Sequence, residues 1–187
     1  MLQYINEYGK YVEITGYQGI VFDKVEAFLK ANRKQTSQNV DIQFFDAELI
    51  ATQEHLYFAV LNALQAFKNK TNLSKSPAME TMLYASAQRQ IQKAIERCGI
   101  KPQTKSMALI IVGEDLKQIG DALEEVTKSV GSDPDVSVLG MTKNKETKIK
   151  KAFEITDQEL KTVEDGSPEK AIADLVIERV ALLATQL

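Results

Sequence analysis

The chain has 187 residues, 44% of them hydrophobic, and a net charge of −3, which suits one domain with a real core and argues against broad, charge-driven nucleic-acid binding while leaving room for a local basic patch. It has one cysteine and one histidine, so an intrachain disulfide is excluded and a zinc site has no second histidine or cysteine to build on. No run approaches the ~20 apolar residues of a membrane span, and MLQYINEYGKYVEI carries polar and acidic residues where a signal peptide needs an apolar centre; the expectation is a cytoplasmic protein without cofactor or metal, one domain over residues 1–187.

Lys10 to Tyr17 alternates apolar and polar residues as a strand does, and Asp23 to Asn32 places Val25, Phe28 and Leu29 at helical spacing. The Gly16–Gly19 segment reads as a turn between them. It lacks the Lys-Ser/Thr pair of a phosphate-binding loop. After a polar connection, Arg33 to Asn39, Val40 to Phe45 reads as a second strand. Asp46 can cap a short helical piece, and Thr52 a longer helix whose stripe is Leu56, Ala59, Val60, Ala63, Ala66 and Phe67. His55 lies on that helix, and a local hydrogen bond is its plain reading.

From Ser76 the pattern predicts one long helix to Gly99. Ser76 is the N-cap, Pro77 the first helical residue, Glu80 an anion in the first turn and Gly99 a left-handed stop. Met79, Leu83, Ala87, Ile91, Ala94, Ile95 and Cys98 form its apolar stripe, with Gln88, Arg89, Gln92, Lys93, Glu96 and Arg97 opposite. Its length would be about 33 Å. Cys98 reads as a packed thiol. The loop joining this helix to the preceding one holds Lys68, Lys70 and Lys75, which by charge alone are a solvated tip or an anion-binding cluster.

Lys105 to Val112 is an apolar run that reads as a buried strand, followed by a helix opening at Glu114–Asp115, where two carboxylates would repel a phosphate. Asp135 to Leu139 is a fourth strand candidate. Met141 to Lys151 is dense in lysine, with Lys143, Lys145, Lys148, Lys150 and Lys151 either a solvated helix start or a contact for an acidic partner. Thr156–Asp157 opens a short helix closed by Glu164 to Pro168. Ser167 and Pro168 then open the last helix, with Ile172, Leu175, Val176, Arg179, Leu182 and Leu183 on one stripe. Ile177, Val180, Ala181 and Ala184 give that helix a second apolar side, which needs either core or another chain to cover it.

Residues Phe44 to Ile95 resemble the signature of the PRPK-binding-protein family, the small accessory subunit of the KEOPS (EKC) complex. The match lies in Phe45–Asp46–Ala47, His55–Leu56, the run from Ser74 through Met79–Glu80, and Ala85 to Ile91, ASAQRQI. Ile177 to Leu183 resembles that family's C-terminal helix, and the chain is similar to an archaeal-type member, whereas Thr142 to Pro168 is longer than a minimal family member needs. The resemblance implies a noncatalytic subunit that docks on a kinase-like ATPase and helps bring tRNA, through its 3′ CCA end, to the enzyme that makes threonylcarbamoyladenosine.

On that reading Lys68, Lys70, Lys75 and Arg89 are the candidate RNA-binding residues, chosen by local charge; an ion pair is an equal alternative for Arg89. Ile177, Val180, Ala181 and Ala184 are the candidate partner surface. A scaffold that contacts only protein, and a small enzyme using His55 with Glu54 or Glu80, are the rival readings. The expected architecture is α+β: a four-stranded mixed, mostly antiparallel sheet packed with the long helical hairpin and the C-terminal helix.

Overall fold

The computed structural model describes residues 1–33, 39–163 and 167–186. Parts of two predicted connections, Arg33 to Asn39 and Glu164 to Pro168, lie outside them. Four strands, β1 (Leu2–Ile5), β2 (Lys10–Gln18), β3 (Val40–Asp46) and β4 (Ser106–Gly113), form one sheet of order β1-β2-β4-β3. Every pairing is antiparallel rather than mixed. β4 is central, and its apolar run is divided by the pleat: Ala108, Ile110 and Val112 face one core, Met107, Leu109 and Ile111 the other. An α+β fold results, with helices over both faces of the sheet.

One face carries α1 (Val25–Arg33) and α5 (Leu116–Val130), whose Val25, Ile119, Ala122 and Val126 pack on Leu109 and Phe44. The other carries α2 (Gln53–Asn69), α3 (Pro77–Ala85), α4 (Ile91–Cys98), α6 (Lys143–Ala152) and α8 (Pro168–Leu183), with the short α7 (Asp157–Thr162) beside α8. The expected caps are in place. Thr52 accepts from His55 N, Ser76 from Met79 N with Pro77 at the first position, and Ser167 from Lys170 N.

The fourth strand is not Asp135 to Leu139. Val136–Leu139 is a single turn of 3₁₀-helix capped by the Asp135 carboxylate, and the missing strand is β1, an edge hairpin partner of β2 with only Ile5 buried. Asp135 N donates to Gly16 O at 2.7 Å, and a Cβ at position 16 would stand 2.2 Å from Val138 Cγ2. Gly16 is therefore a strand residue that admits this turn against the sheet, and the predicted Gly16–Gly19 turn begins only at Gly19, φ +70°.

The long helix is broken in two. α3 ends in a reverse turn in which Gln88 N donates to Leu83 O (3.0 Å) and Ala87 N to Tyr84 O (2.9 Å), with Ala87 left-handed at φ +49°. This is a Schellman stop with alanine where glycine is usual. α4 leaves in a new direction that turns Ala94 and Cys98 inward, while Ile91 and Ile95 of the predicted stripe are exposed. Gly99 is extended (φ −72°, ψ 150°), not left-handed; a Cβ there would lie 2.6 Å from Ile95 O.

Candidate functional site

His55 is fully buried with both ring nitrogens engaged. Ala51 N–H donates to Nδ1 (3.2 Å), Nε2–H donates to the Ala85 carbonyl (2.8 Å), and the ring stands edge-on to Phe153 with centroids 5.7 Å apart. Burial pushes its pKa down to about 4, against the smaller opposing effect of the Ala85 carbonyl. The neutral imidazole is a pin between the start of α2 and the end of α3. The carboxylates grouped with it by sequence do not join it: Glu80 is buried and accepts from Leu73 N and Ser74 N (2.7 Å to Ser74), fastening the α2–α3 loop, and Glu54 is exposed. Cys98 is buried, and its thiol is pushed up to about 12. Among the described residues no group of three or more His, Cys, Asp or Glu side chains could hold a metal, and no helix is long and apolar enough to cross a membrane.

The candidate RNA-binding residues are not gathered in one place. Lys68 pairs with Glu7 (2.9 Å) and lies over the Tyr8 ring, Lys70 is the left-handed cap of α2, and Lys75 is exposed before α3. Arg89 stands past the far end of α3, whose nine residues separate it from Lys75 by about 13 Å of helix. Arg89 is exposed beside Gln88 at the helix break.

Gln88 opens instead on a groove of about 710 Å³ between α4 and α6, which sequence reasoning did not assemble. Lys93 and Arg97, one turn apart on α4, face Lys148 and Lys151, one turn apart on α6, with Lys101 at the end; Glu96 is the acidic residue lining it. Lys148 pairs with Glu48 (2.9 Å), while Arg97 donates to the Ser86 carbonyl (2.9 Å) and lies over Phe153. Each basic run is visible in the sequence. Their meeting is not, since some fifty residues separate them. Two of the other lysines of α6 are spent within the fold, while Lys143 is exposed. Lys150 pairs with Asp157 (2.7 Å), and Lys145 is buried with its ammonium on the carbonyls of Val138 and Gly140, burial lowering its pKa to about 8.

A smaller pocket of about 200 Å³ shares Gln88 and Arg97 with this groove and is completed by Ala87, Phe153, Glu154, Arg179, Leu182 and Leu183. Arg179 is held by Glu159 (2.7 Å) and by the carbonyls of Leu175 and Glu154. The backbone and side-chain donors of Thr156, with Arg179, bring the Glu159 carboxyl down to about 2. Leu182, placed on the core stripe by spacing, is 45% exposed at this pocket.

The candidate partner surface needs one correction. Val180 is completely buried within this chain and belongs to the core, because the helix turns it toward α2 and α3. Ile177 is half-buried, and Ala181 and Ala184 are exposed. Ile177 lines a third groove, about 390 Å³, between α2 and α8, floored by Phe58, Met141 and Ala173 and rimmed by Glu54, Glu169 and Asp174, with Lys170 among them. Phe58 is 41% exposed there. At about 100° per residue, Ile177, Asp174 and Ala181 fall on the opposite side of α8 from Arg179, Leu182 and Leu183.

The family model described as kinase binding protein CGI-121 matches residues 22–184. A protein of Methanocaldococcus jannaschii named regulatory protein Cgi121 is 30% identical over 126 residues, covering 67% of this chain and 79% of that protein.

Proposed function

We propose, from the premise that this chain belongs to the kinase binding protein CGI-121 family, that it is a noncatalytic adaptor joining a kinase-like ATPase to tRNA in the cytoplasmic KEOPS complex, in support of threonylcarbamoyladenosine formation. The observation that carries the RNA half is the α4–α6 groove, where five cations and one acidic residue line one hollow in a chain of net charge −3. Such a local field can hold a single-stranded end without drawing nucleic acid to the whole surface. Lys93, Arg97, Lys101 and Lys151, with Arg89 nearby, carry this role. Lys68, Lys70 and Lys75 add a second, weaker basic tip.

The kinase half rests on the family and on the α2–α8 groove. Its exposed Phe58, its half-buried Ile177 and the neighbouring Ala181 offer apolar area, and Glu54, Glu169 and Asp174 favour a partner segment with basic residues at its margins. The test has two arms. Affinity capture of the kinase-like ATPase should be lost in Ala181→Arg, an exposed change that leaves the melting temperature near wild type; unchanged capture overturns the docking face. A low-salt gel shift of tRNA should weaken when the terminal CCA is trimmed. Equal binding to trimmed tRNA removes the end-specific claim, and capture of the ATPase without any RNA shift leaves a protein-only scaffold.

A further inference from the structure

The two edges of the sheet are finished differently. At the β3 edge, Asp41 and Asp46 put charges on the strand, Gln43 Nε2 donates to the Phe44 carbonyl (3.0 Å), and the chain enters through a left-handed Asn39 (φ +66°). Charges, side chains laid on the backbone and local kinks are what keep an exposed strand from pairing with another chain. β1 has none of these. Leu2-Gln3-Tyr4-Ile5 contains no charged residue, proline or glycine, and all but Ile5 are exposed, Leu2 at 51% and Tyr4 at 47%. Ile14 N donates to Met1 O (2.9 Å), which fixes the alternation of the ladder: Gln3 and Ile5 bond inward to β2, while the N–H and C=O groups of Leu2 and Tyr4 point outward. Among the described residues nothing bonds to those outward groups. The charges that flank the strand are already matched within the chain, the Met1 ammonium with Glu13 (3.0 Å), Lys68 with Glu7 (2.9 Å) and Lys10 with Glu114 (2.8 Å). Two copies can therefore meet along β1 without opposing like charges.

We propose that β1 is a self-association edge, pairing antiparallel with β1 of a second copy of this chain about a two-fold axis through Gln3. The outward groups select the register. With Leu2 of each copy opposite Tyr4 of the other, every outward N–H and C=O of both strands is bonded, whereas a slip of two residues either way satisfies only one of the two residues within the strand. The same register sets each Leu2 beside a Tyr4 on the sheet face left open at this edge, where the Tyr4 ring already packs on Tyr11 with centroids 4.6 Å apart. Gln3 meets Gln3 across the axis on the opposite face. The sheets of the two copies then run together as one, through an isologous contact. A strand of 4 residues buries less than the ~1,200 Å² of a standard interface, so the dimer is weak and depends on concentration. No residue of β1 lines the α4–α6 or the α2–α8 groove, so this pairing stands apart from the adaptor reading.

Sedimentation equilibrium of the full chain from roughly 10 µM to roughly 1 mM should show the average mass rising from one chain towards two. Leu2→Pro removes an outward donor and leaves the bonds from β1 to β2 in place, so it should hold the mass at one chain throughout, with the melting temperature near wild type. Tyr4→Lys, which sets like charges about the axis, is a second route to the same result. Cysteines read the register. In it the Cα atoms of the two Gln3 residues stand about 4.5 Å apart, within disulfide reach, so Gln3→Cys should cross-link in oxidised glutathione roughly tenfold faster than Leu2→Cys. Cys98 is buried and does not compete. A single-chain mass at the top of the concentration range overturns the proposal, as does association that persists in both Leu2→Pro and Tyr4→Lys. Equal cross-linking of Gln3→Cys and Leu2→Cys overturns the register.

Discussion

His55 supplies the sharpest test of whether this fold has a reacting centre. Its folded pKa of about 4 lies below the ordinary 6.5, so as pH falls the unfolded chain takes up the proton first. Stability from this group is complete above pH 6.5 and is lost as pH drops through 6.5 toward 4. The full difference is about 3 kcal/mol, and about 2 kcal/mol of it is gone at pH 5. With one histidine in the chain, urea unfolding at pH 7, 6 and 5 isolates it, ahead of most carboxylate titration. His55→Gln should flatten the slope of stability against pH over that interval. His55→Ala should also cost about 2–4 kcal/mol at pH 7, because Ala51 N–H and the Ala85 carbonyl lose their buried partner. An imidazole that titrates near 6.5 by NMR, or a His55→Gln slope equal to wild type, would refute the buried-pin account.

Two further substitutions probe the close approaches that organise the chain. Gly16→Ala drives a methyl into Val138 Cγ2 and against Met107 O, so a loss of about 1–3 kcal/mol is expected in a denaturant melt; a neutral result would mean that the 3₁₀ turn does not seat on β2. Ala87→Gly relieves a left-handed alanine and should be neutral or stabilising by about 1 kcal/mol, whereas Ala85→Gly, helical and buried two residues earlier, should cost about that much. The reverse order would remove the Schellman stop.

What could be read in the chain was what is local. Thr52, Ser76–Pro77 and Ser167–Pro168 announce their helices because a cap needs only its own first turn, and β4 announces itself because a strand covered on both faces must be apolar throughout. The break at Ala87 has no such signal. No glycine or proline marks it, and the periodicity of Met79 and Leu83 runs on into Ile91 and Ile95 as though the axis were continuous. β1 was hidden because an edge strand with one buried residue makes no pattern, while Asp135 to Leu139 imitated one. The basic groove depends on that unseen bend. Lys93 and Arg97 face Lys148 and Lys151 only because α4 changes course, so charge counted along the chain drew attention to the hairpin tip instead.

α8 is worked on every side. Ile172, Val176 and Val180 are sealed into the interior, Asp174 and Ile177 line one hollow, and Arg179 and Leu182 line another on the far flank. Few positions along it are idle, so it should drift more slowly in evolution than any helix with a bare solvent face. Its two flanks bear separate hollows, so whatever occupied one would share a single rod of helix with whatever occupied the other.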